Sequence, residues 1–122
     1  MLQKIFIAAF IMTLIITKNV SAQEVLVYND KNYDYKFYVI TESIVNHTIY
    51  HDNRTFDVLV RIYRQKNFDS DVLYQMWEND GLIWYTNGEG TGMHSANGIQ
   101  SAEAIWNYCL KFLNLDYEIS YK

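Results

Sequence analysis

The residues best suited to chemistry lie close together in one long glycine-containing segment, residues 87–100. The segment carries a carboxylate, two hydroxyls and an imidazole among four glycines: Glu89, Thr91, Ser95 and His94, with Gly88, Gly90, Gly92 and Gly98. A serine near an imidazole and a carboxylate is the set that acyl transfer requires. Connections of this length in a small domain are often functional. We therefore predict a binding site at Glu89, Thr91, His94 and Ser95, with a small secreted hydrolase as the alternative.

Other features of the segment argue against catalysis. Ser95 lacks the Gly-x-Ser-x-Gly turn that exposes the nucleophile of many hydrolases. The glycines have neither the dinucleotide-binding nor the phosphate-binding spacing, and no Lys-Ser or Lys-Thr pair follows them. The sequence therefore predicts a non-enzymatic protein with no catalytic residue and no cofactor.

Aromatic residues flank this segment and are abundant in the whole chain, which has eleven Tyr, three Trp and six Phe. Aromatic rows on a sheet can stack on sugars or form protein interfaces. Cross-strand pairs that stabilise a small sheet explain the same composition. We add Trp84 and Tyr85 to the predicted binding site, with a protein or a carbohydrate at the cell surface as the expected partner.

A second group of potential ligands comprises His47, His51 and Asp52. Histidines four residues apart share one face of a helix and can hold zinc, but Thr48, Ile49 and Tyr50 favour an extended chain. Four extended residues span about 13 Å, too far for one ion unless the chain folds back at Asp52-Asn53. A surface metal site is therefore a further alternative, and exposed histidines between strands are the expectation.

The first 22 residues have the pattern of a secretory signal peptide. Lys4 precedes an apolar run from Ile5 to Ile16, and Val20-Ser21-Ala22 provides small residues at a cleavage point. A membrane-spanning helix needs about twenty apolar residues, more than this run supplies. We predict cleavage after Ala22, a single domain over residues 23–122, and a secreted, periplasmic or cell-envelope location with no membrane span after processing.

Charge and cysteine content narrow the function further. Removing residues 1–22 removes two lysines and no acid, so eight basic residues face fourteen acidic ones and the net charge falls from −4 to −6. Nucleic-acid binding requires clustered Lys and Arg, so we exclude nucleic acid and anionic membranes as partners. Cys109 is the one cysteine, which rules out an internal disulfide.

Alternation of apolar and polar residues predicts strands over 25–28, 36–44, 55–64, 72–78 and 82–86. Asn79-Asp80-Gly81 predicts a hairpin. Ser101 is the expected N-cap of a helix over 102–113. Most of the surface of this helix is apolar, so it must pack on the apolar face of the sheet and bury Ile105 and Phe112. Residues 116–122 alternate again and form a candidate sixth strand. The predicted fold class is α+β, an antiparallel β-meander of five to six strands packed against one C-terminal helix.

This layout resembles that of small exported bacterial domains of the surface-adhesin protein E type. The resemblance rests on the segment from Tyr38 to Ile44, the strand from Phe56 to Tyr63 and a terminal helix that carries Cys109, and on no signature motif. Members of that type pair the helical cysteine with a second one, which this chain lacks. The resemblance implies a bacterial envelope or secreted protein with an interaction role and no enzymatic residues.

Overall fold

The structure, a computed structural model, describes residues 23–88 and 92–119. In these ranges the chain forms an antiparallel sheet of seven strands and one C-terminal helix, which confirms the predicted α+β class. The predicted signal peptide, residues Glu89 and Thr91, and the last three residues of the candidate sixth strand lie outside the described residues.

Consecutive strands are neighbours in most of the sheet. The order is β1-β2-β4-β5-β6-β7, and β3 pairs with β4 beside β2, so the predicted five-strand meander is confirmed. The elements are β1 Glu24–Asp30, β2 Tyr35–Ile40, β3 Val45–Asn46, β4 Thr55–Arg64, β5 Asn67–Asn79, β6 Leu82–Thr86, β7 His94–Ser95 and α1 Gln100–Phe112.

The central strand β4 has the predicted bounds and the predicted two-sided pattern. Phe56, Val58 and Val60 are fully buried on the face that α1 covers, which we call the inner face. The ring of Phe56 stacks on Trp106 of α1 with centroids 5.0 Å apart. The core therefore lies between the sheet and one helix, because neither apolar surface can be left in water.

The second strand is shorter than the sequence predicts, ending at Ile40 rather than Ile44. A 3₁₀ turn follows at Thr41–Ser43 and interrupts pairing with β4. The hydroxyl of Ser43 donates to the Ile40 carbonyl at 2.6 Å and accepts from the Leu59 amide at 2.8 Å. The Ser43 hydroxyl thus takes the place of a backbone carbonyl as the acceptor for the Leu59 amide. The alternation of apolar residues does not reveal such a side-chain hydrogen bond.

The strand predicted to begin at Val72 begins five residues earlier, at Asn67. The turn from β4 consists only of Gln65 and Lys66, whose φ angles are +50° and +70°. Positive φ at both central residues is typical of the type I′ hairpin turn, which favours Asn and Gly. Neither residue carries that signal, so the sequence suggested a longer loop. The Asp80-Gly81 turn, by contrast, was predicted correctly.

The helix and the chain after it differ from the predictions in three respects. Ser101 is not the N-cap: α1 begins at Gln100 after Ile99, and the Glu103 carboxylate accepts from the Gly98 amide at 2.6 Å. Phe112 is 48% exposed rather than buried. Residues 116–119 form no strand.

Instead of joining the sheet, the segment after α1 is held by a buried arginine. Nη1 of Arg54 donates to the carbonyls of Leu115 and Tyr117, at 2.6 and 3.0 Å. The Tyr117 ring lies 5.1 Å from the Arg54 guanidinium and stacks on His51 with centroids 4.0 Å apart. Side-chain bonds to carbonyls therefore fix this segment without strand pairing.

The opposite, outer face of the sheet is charged and partly apolar. Arg61 forms two hydrogen bonds to Asp71, at 2.8 and 3.0 Å, and a third to Glu24. These hydrogen bonds hold the pKa of Asp71 below its ordinary value and raise that of Arg61. Among the described residues, no helix has the length and hydropathy to cross a membrane.

Candidate ligand-binding site

A pocket of about 290 Å³ opens on the inner face beside the first turn of α1. It is lined by residues of β2, β4, β5 and β6 together with the residue that follows Gln100 in the helix. The helix covers the rest of this face, so the pocket occupies the part of the inner face that α1 leaves open. Its aromatic lining residues are Tyr35, Phe37, Tyr74 and Tyr85, and its polar ones are Asp69, Ser70, Asn87 and Ser101.

Sheet register brings these distant residues together. Phe37 pairs with Ile62 and Ile62 pairs with Ser70, so three strands contribute neighbouring side chains to one row. Tyr85 pairs with Met76 one strand further along. Because directly paired residues of antiparallel strands share a face, all of these side chains lie on the inner face. The pocket thus depends on the two-residue turn at Gln65 and Lys66 together with the register shift between Ile62 and Tyr63, which pairs Ile62 with Ser70.

Aromatic rings form the deepest part of the pocket. Tyr74 and Tyr85 are only 5% and 7% exposed, and their rings stack with centroids 5.6 Å apart and planes 27° apart. The Phe37 ring makes an edge contact with Tyr28 at 5.9 Å, and the Tyr28 hydroxyl donates to Oε1 of Gln100 at 2.9 Å. This chain of contacts fixes the aromatic wall relative to the start of the helix.

Two of the polar lining residues, Asp69 and Ser70, are neighbours near the start of β5. The Ser70 hydroxyl donates to Oδ2 of Asp69 at 3.0 Å. Asp69 is the one Asp, Glu, Lys or Arg among the described lining residues. The Arg64 guanidinium lies 5.6 Å from the centre of the Tyr35 ring. The pocket therefore has a negative group in its lining and a positive group beside one of its aromatic residues.

The predicted binding residues do not form one site. Tyr85 lines the pocket, but Trp84 is its neighbour in β6 and lies on the outer face. His94 and Ser95 form β7, in which His94 pairs with Tyr85 and Ser95 pairs with Trp84. Part of the glycine-containing segment is therefore an edge strand of the sheet. Because successive side chains of a strand point to opposite faces, the predicted binding residues of β6 and β7 are divided between the two faces of the sheet.

His94 and Ser95 point to opposite faces, an arrangement unsuited to a nucleophile and its base. The His94 ring lies 5.3 Å from the Tyr85 ring at 38°, on the inner face. The Ser95 hydroxyl lies 3.4 Å from Oδ1 of Asn97 and accepts from the Asn97 amide at 3.3 Å. A serine and its general base need direct hydrogen-bond contact.

The histidines considered for a metal site have other contacts. Nε2 of His47 lies 3.0 Å from Oδ2 of Asp57, and the His51 ring stacks on Tyr117. The chain does fold back, with the Asn53 amide donating to the Tyr50 carbonyl at 3.1 Å. In residues 23–88 and 92–119, no three His, Cys, Asp or Glu side chains are grouped to hold a metal ion.

Cys109 is fully buried under the sheet. Burial penalises the thiolate and raises the pKa of this thiol to about 12. A thiol that remains protonated is a poor nucleophile, so the buried position makes Cys109 a packing residue in the folded protein.

Sequence reasoning missed most of the pocket, because its polar residues were assigned to a loop. Asp69 and Ser70 fall in the segment 65–71 that was interpreted as a turn, and Tyr35 falls just before the predicted second strand. Continuing the β4 alternation through a two-residue turn would pair Ile62 with Asp69 and Val60 with Asp71. A register shift between Ile62 and Tyr63 instead pairs Ile62 with Ser70 and Val60 with Val72, which places Ser70 and Val72 on the inner face. Alternation along the sequence does not reveal such a bulge.

No family model matches this chain, and neither a curated protein nor a solved structure does. The resemblance to domains of the surface-adhesin protein E type therefore stays a prediction.

Proposed function

We propose that this protein is an exported, non-enzymatic binding module of the cell envelope or extracellular space, and that the inner-face pocket is its ligand site. The observation that carries the proposal is the combination of four aromatic side chains with hydroxyl, amide and carboxylate groups in one concave site. Small-molecule sites in proteins are typically concave, with aromatic walls and a few polar groups that orient the ligand.

The pocket is built on rigid elements, which favours binding over a purely structural role. Tyr74 and Tyr85 belong to paired strands, and the first turn of α1 is tied to β1 through Tyr28. Preorganised side chains lose little conformational entropy when a ligand binds. A site of this kind can bind a small ligand without a large rearrangement.

The non-enzymatic part of the proposal is supported by the separation of the candidate catalytic groups. His94 and Ser95 lie on opposite faces of β7. To test this part, wild type and His94→Ala would be compared on p-nitrophenyl acetate and a set of p-nitrophenyl glycosides. We expect no turnover above background for either protein. Saturable hydrolysis that disappears in His94→Ala would overturn the non-enzymatic assignment.

Blocking the pocket tests the binding site itself. Ser70→Trp places a large side chain on the inner face, whereas Gln75→Trp places the same side chain on the outer face of the same strand. Ligand-observed NMR would be run on each protein with a mixture of monosaccharides, amino acids and quaternary ammonium compounds. We expect wild type and Gln75→Trp to bind at least one compound and Ser70→Trp to bind none. If all three proteins bind the same compounds equally, or none binds any, the pocket is not the ligand site.

A further inference from the structure

We infer that the pocket binds an uncharged sugar ring, an inference that rests on the proposed binding function and names its ligand class. Four observations support it: the aromatic residues that line the pocket, its polar lining groups, the charged groups near it, and its volume. Each restricts the chemistry of the ligand in a different way.

The aromatic wall requires a ligand with an apolar surface. Tyr35 and Phe37 are partly exposed in the pocket, and the stacked rings of Tyr74 and Tyr85 are the buried part of its lining. Sugar rings have one face made of C–H groups, which packs on aromatic side chains in the way that other apolar groups do. An extended polyol or an ion with a complete hydration shell has no such face.

The polar lining requires a ligand with several hydroxyl groups. The Asp69 carboxylate has acceptor capacity beyond the one bond from Ser70, and Asn87 carries both donors and an acceptor. Ser101 adds a hydroxyl from the first turn of α1. Neighbouring hydroxyls that both donate and accept can pair with this mixed set of donors and acceptors.

Charge around the pocket disfavours a ligand with net charge of either sign. The Asp69 carboxylate opposes an anion. The Arg64 guanidinium, 5.6 Å from the centre of the Tyr35 ring, opposes a cation. An uncharged ligand meets neither repulsion.

The size of the pocket limits the ligand to about one ring. A volume of about 290 Å³ lies just below the roughly 300–1,000 Å³ found for small-molecule sites. One sugar unit, free or at the end of a longer glycan, therefore suits the pocket better than an internal stretch of a polysaccharide.

The test uses protein purified after expression of the full chain, isotope-labelled and titrated by NMR. The probes are methyl glycosides of glucose, galactose and N-acetylglucosamine, with sorbitol, choline and glycine for comparison. We expect at least one glycoside to shift the signals of Tyr74, Tyr85 and Asn87 in a saturable way. Sorbitol, which has hydroxyls and no ring, should shift them at least about tenfold more weakly.

Two variants and their matched controls locate the contacts. Tyr35→Ser removes part of the aromatic wall, and Tyr33→Ser makes the same change at an exposed turn residue two positions away. Asp69→Asn removes the charge without changing shape, and Asp116→Asn does so at an exposed site. We expect Tyr35→Ser and Asp69→Asn to weaken glycoside binding by at least about tenfold, and the controls to change it less than twofold. Asp69 is exposed, so Asp69→Asn remains informative if Tyr35→Ser folds poorly.

The outcomes separate this inference from the proposal on which it rests. Choline or glycine binding in the pocket, with no glycoside bound, would overturn the sugar inference and leave the binding module intact. Glycoside shifts confined to Trp77 and Trp84 on the outer face would overturn the pocket as the sugar site. No pocket shift with any probe, together with equal behaviour of Ser70→Trp and wild type, would overturn both.

Discussion

Arg54 and Glu78 form a bidentate ion pair in the interior, with Nε to Oε1 at 2.6 Å and Nη2 to Oε2 at 2.8 Å. The residues are 8% and 3% exposed. The backbone reinforces the pair, because the Arg54 amide also donates to Oε1 at 3.1 Å and the Glu78 amide donates to the Arg54 carbonyl at 3.1 Å. One arginine thereby connects β4, β5 and the segment after α1.

The first prediction concerns the cost of breaking this pair. Arg54→Met leaves the Glu78 carboxylate buried without its partner, so the free energy of unfolding should fall by about 3–5 kcal/mol. Urea denaturation followed by far-UV circular dichroism measures the loss. The double variant Arg54→Met with Glu78→Leu should lose less than either single variant, since it leaves no buried charge unpaired.

The control for this prediction is Arg61→Met on the outer face. Arg61 also pairs with two carboxylates, but its side chain is 32% exposed and water can solvate what it leaves behind. We expect a clearly smaller loss than for Arg54→Met, because solvent screens an exposed ion pair. If Arg54→Met and Arg61→Met lower the free energy of unfolding equally, burial of the Arg54–Glu78 pair does not determine the cost of breaking it.

The second prediction compares two apolar residues of α1. Ile105 is fully buried, so Ile105→Ala should cost about 2–5 kcal/mol in the free energy of unfolding. Phe112 is half exposed, so Phe112→Ala should cost clearly less. Urea denaturation of both variants gives the comparison, and a larger loss for Phe112→Ala would contradict the placement of the helix.

The third prediction concerns the turn between β4 and β5. Lys66 has φ +70°, a conformation that costs a residue with a Cβ atom about 1–2 kcal/mol and costs glycine almost nothing. Lys66→Gly should therefore raise the free energy of unfolding by about 0.5–1 kcal/mol, after the greater flexibility of glycine in the unfolded chain is subtracted. Lys31→Gly, at a turn position whose own φ is not positive, should not stabilise. Thermal or urea denaturation that shows the reverse order would exclude this turn geometry.

The fourth prediction concerns the reactivity of Cys109. A thiol reagent such as Ellman's reagent should react with it only on unfolding, because the side chain is fully buried and its pKa is raised to about 12. A control cysteine introduced by Lys111→Cys on the exposed side of the same helix, in a Cys109→Ala background, should react at once. Rapid labelling of Cys109 in the folded protein would contradict its position under the sheet.

The same pKa predicts a pH dependence. An ordinary thiol with pKa 9.0 ionises in the unfolded chain, while the folded protein keeps Cys109 protonated until about pH 12. The unfolded state is therefore favoured as the pH rises from about 9 to about 12, and the free energy of unfolding falls. Cys109→Ala should remove this part of the decline. Identical pH profiles of the two proteins above pH 9 would argue against it.

The fifth prediction concerns export. If residues 1–22 are a signal peptide, the intact mass of protein recovered from the medium or periplasm should correspond to a chain that begins at Gln23. Replacing apolar residues of the leader with Asp, as in Ile7→Asp with Leu14→Asp, should retain the uncleaved chain in the cell. Recovery of the full-length chain outside the cell would contradict cleavage after Ala22.

Much of the fold could be predicted from the sequence because its main signals are local. The alternation in β4 and the Asp80-Gly81 turn depend on neighbouring residues alone. The apolar surface of α1 likewise indicated what the helix must cover. The failures occurred where a side chain or a strained turn replaces a standard backbone pattern, as at Ser43 and Lys66.

The site was harder to predict than the fold because its residues are brought together by register. Tyr35, Asp69 and Tyr85 come from three strands and carry no motif. The glycine-containing segment 87–100, in which the sequence predicted a binding site, contributes Asn87 to the pocket. Of its other described residues, His94 and Ser95 form β7. Composition identified the aromatic content, but not the face on which each ring lies.

Strand β6 has a consequence for how this protein can diversify. Trp84 and Tyr85 are consecutive residues that belong to separate surfaces. Substitutions at alternate positions can accumulate on the solvent side of the sheet, at Leu82 or Thr86 for instance, with no direct effect on the side chains across the backbone. Selection can therefore change the outer surface of this strand while the pocket wall on its other side keeps its side chains.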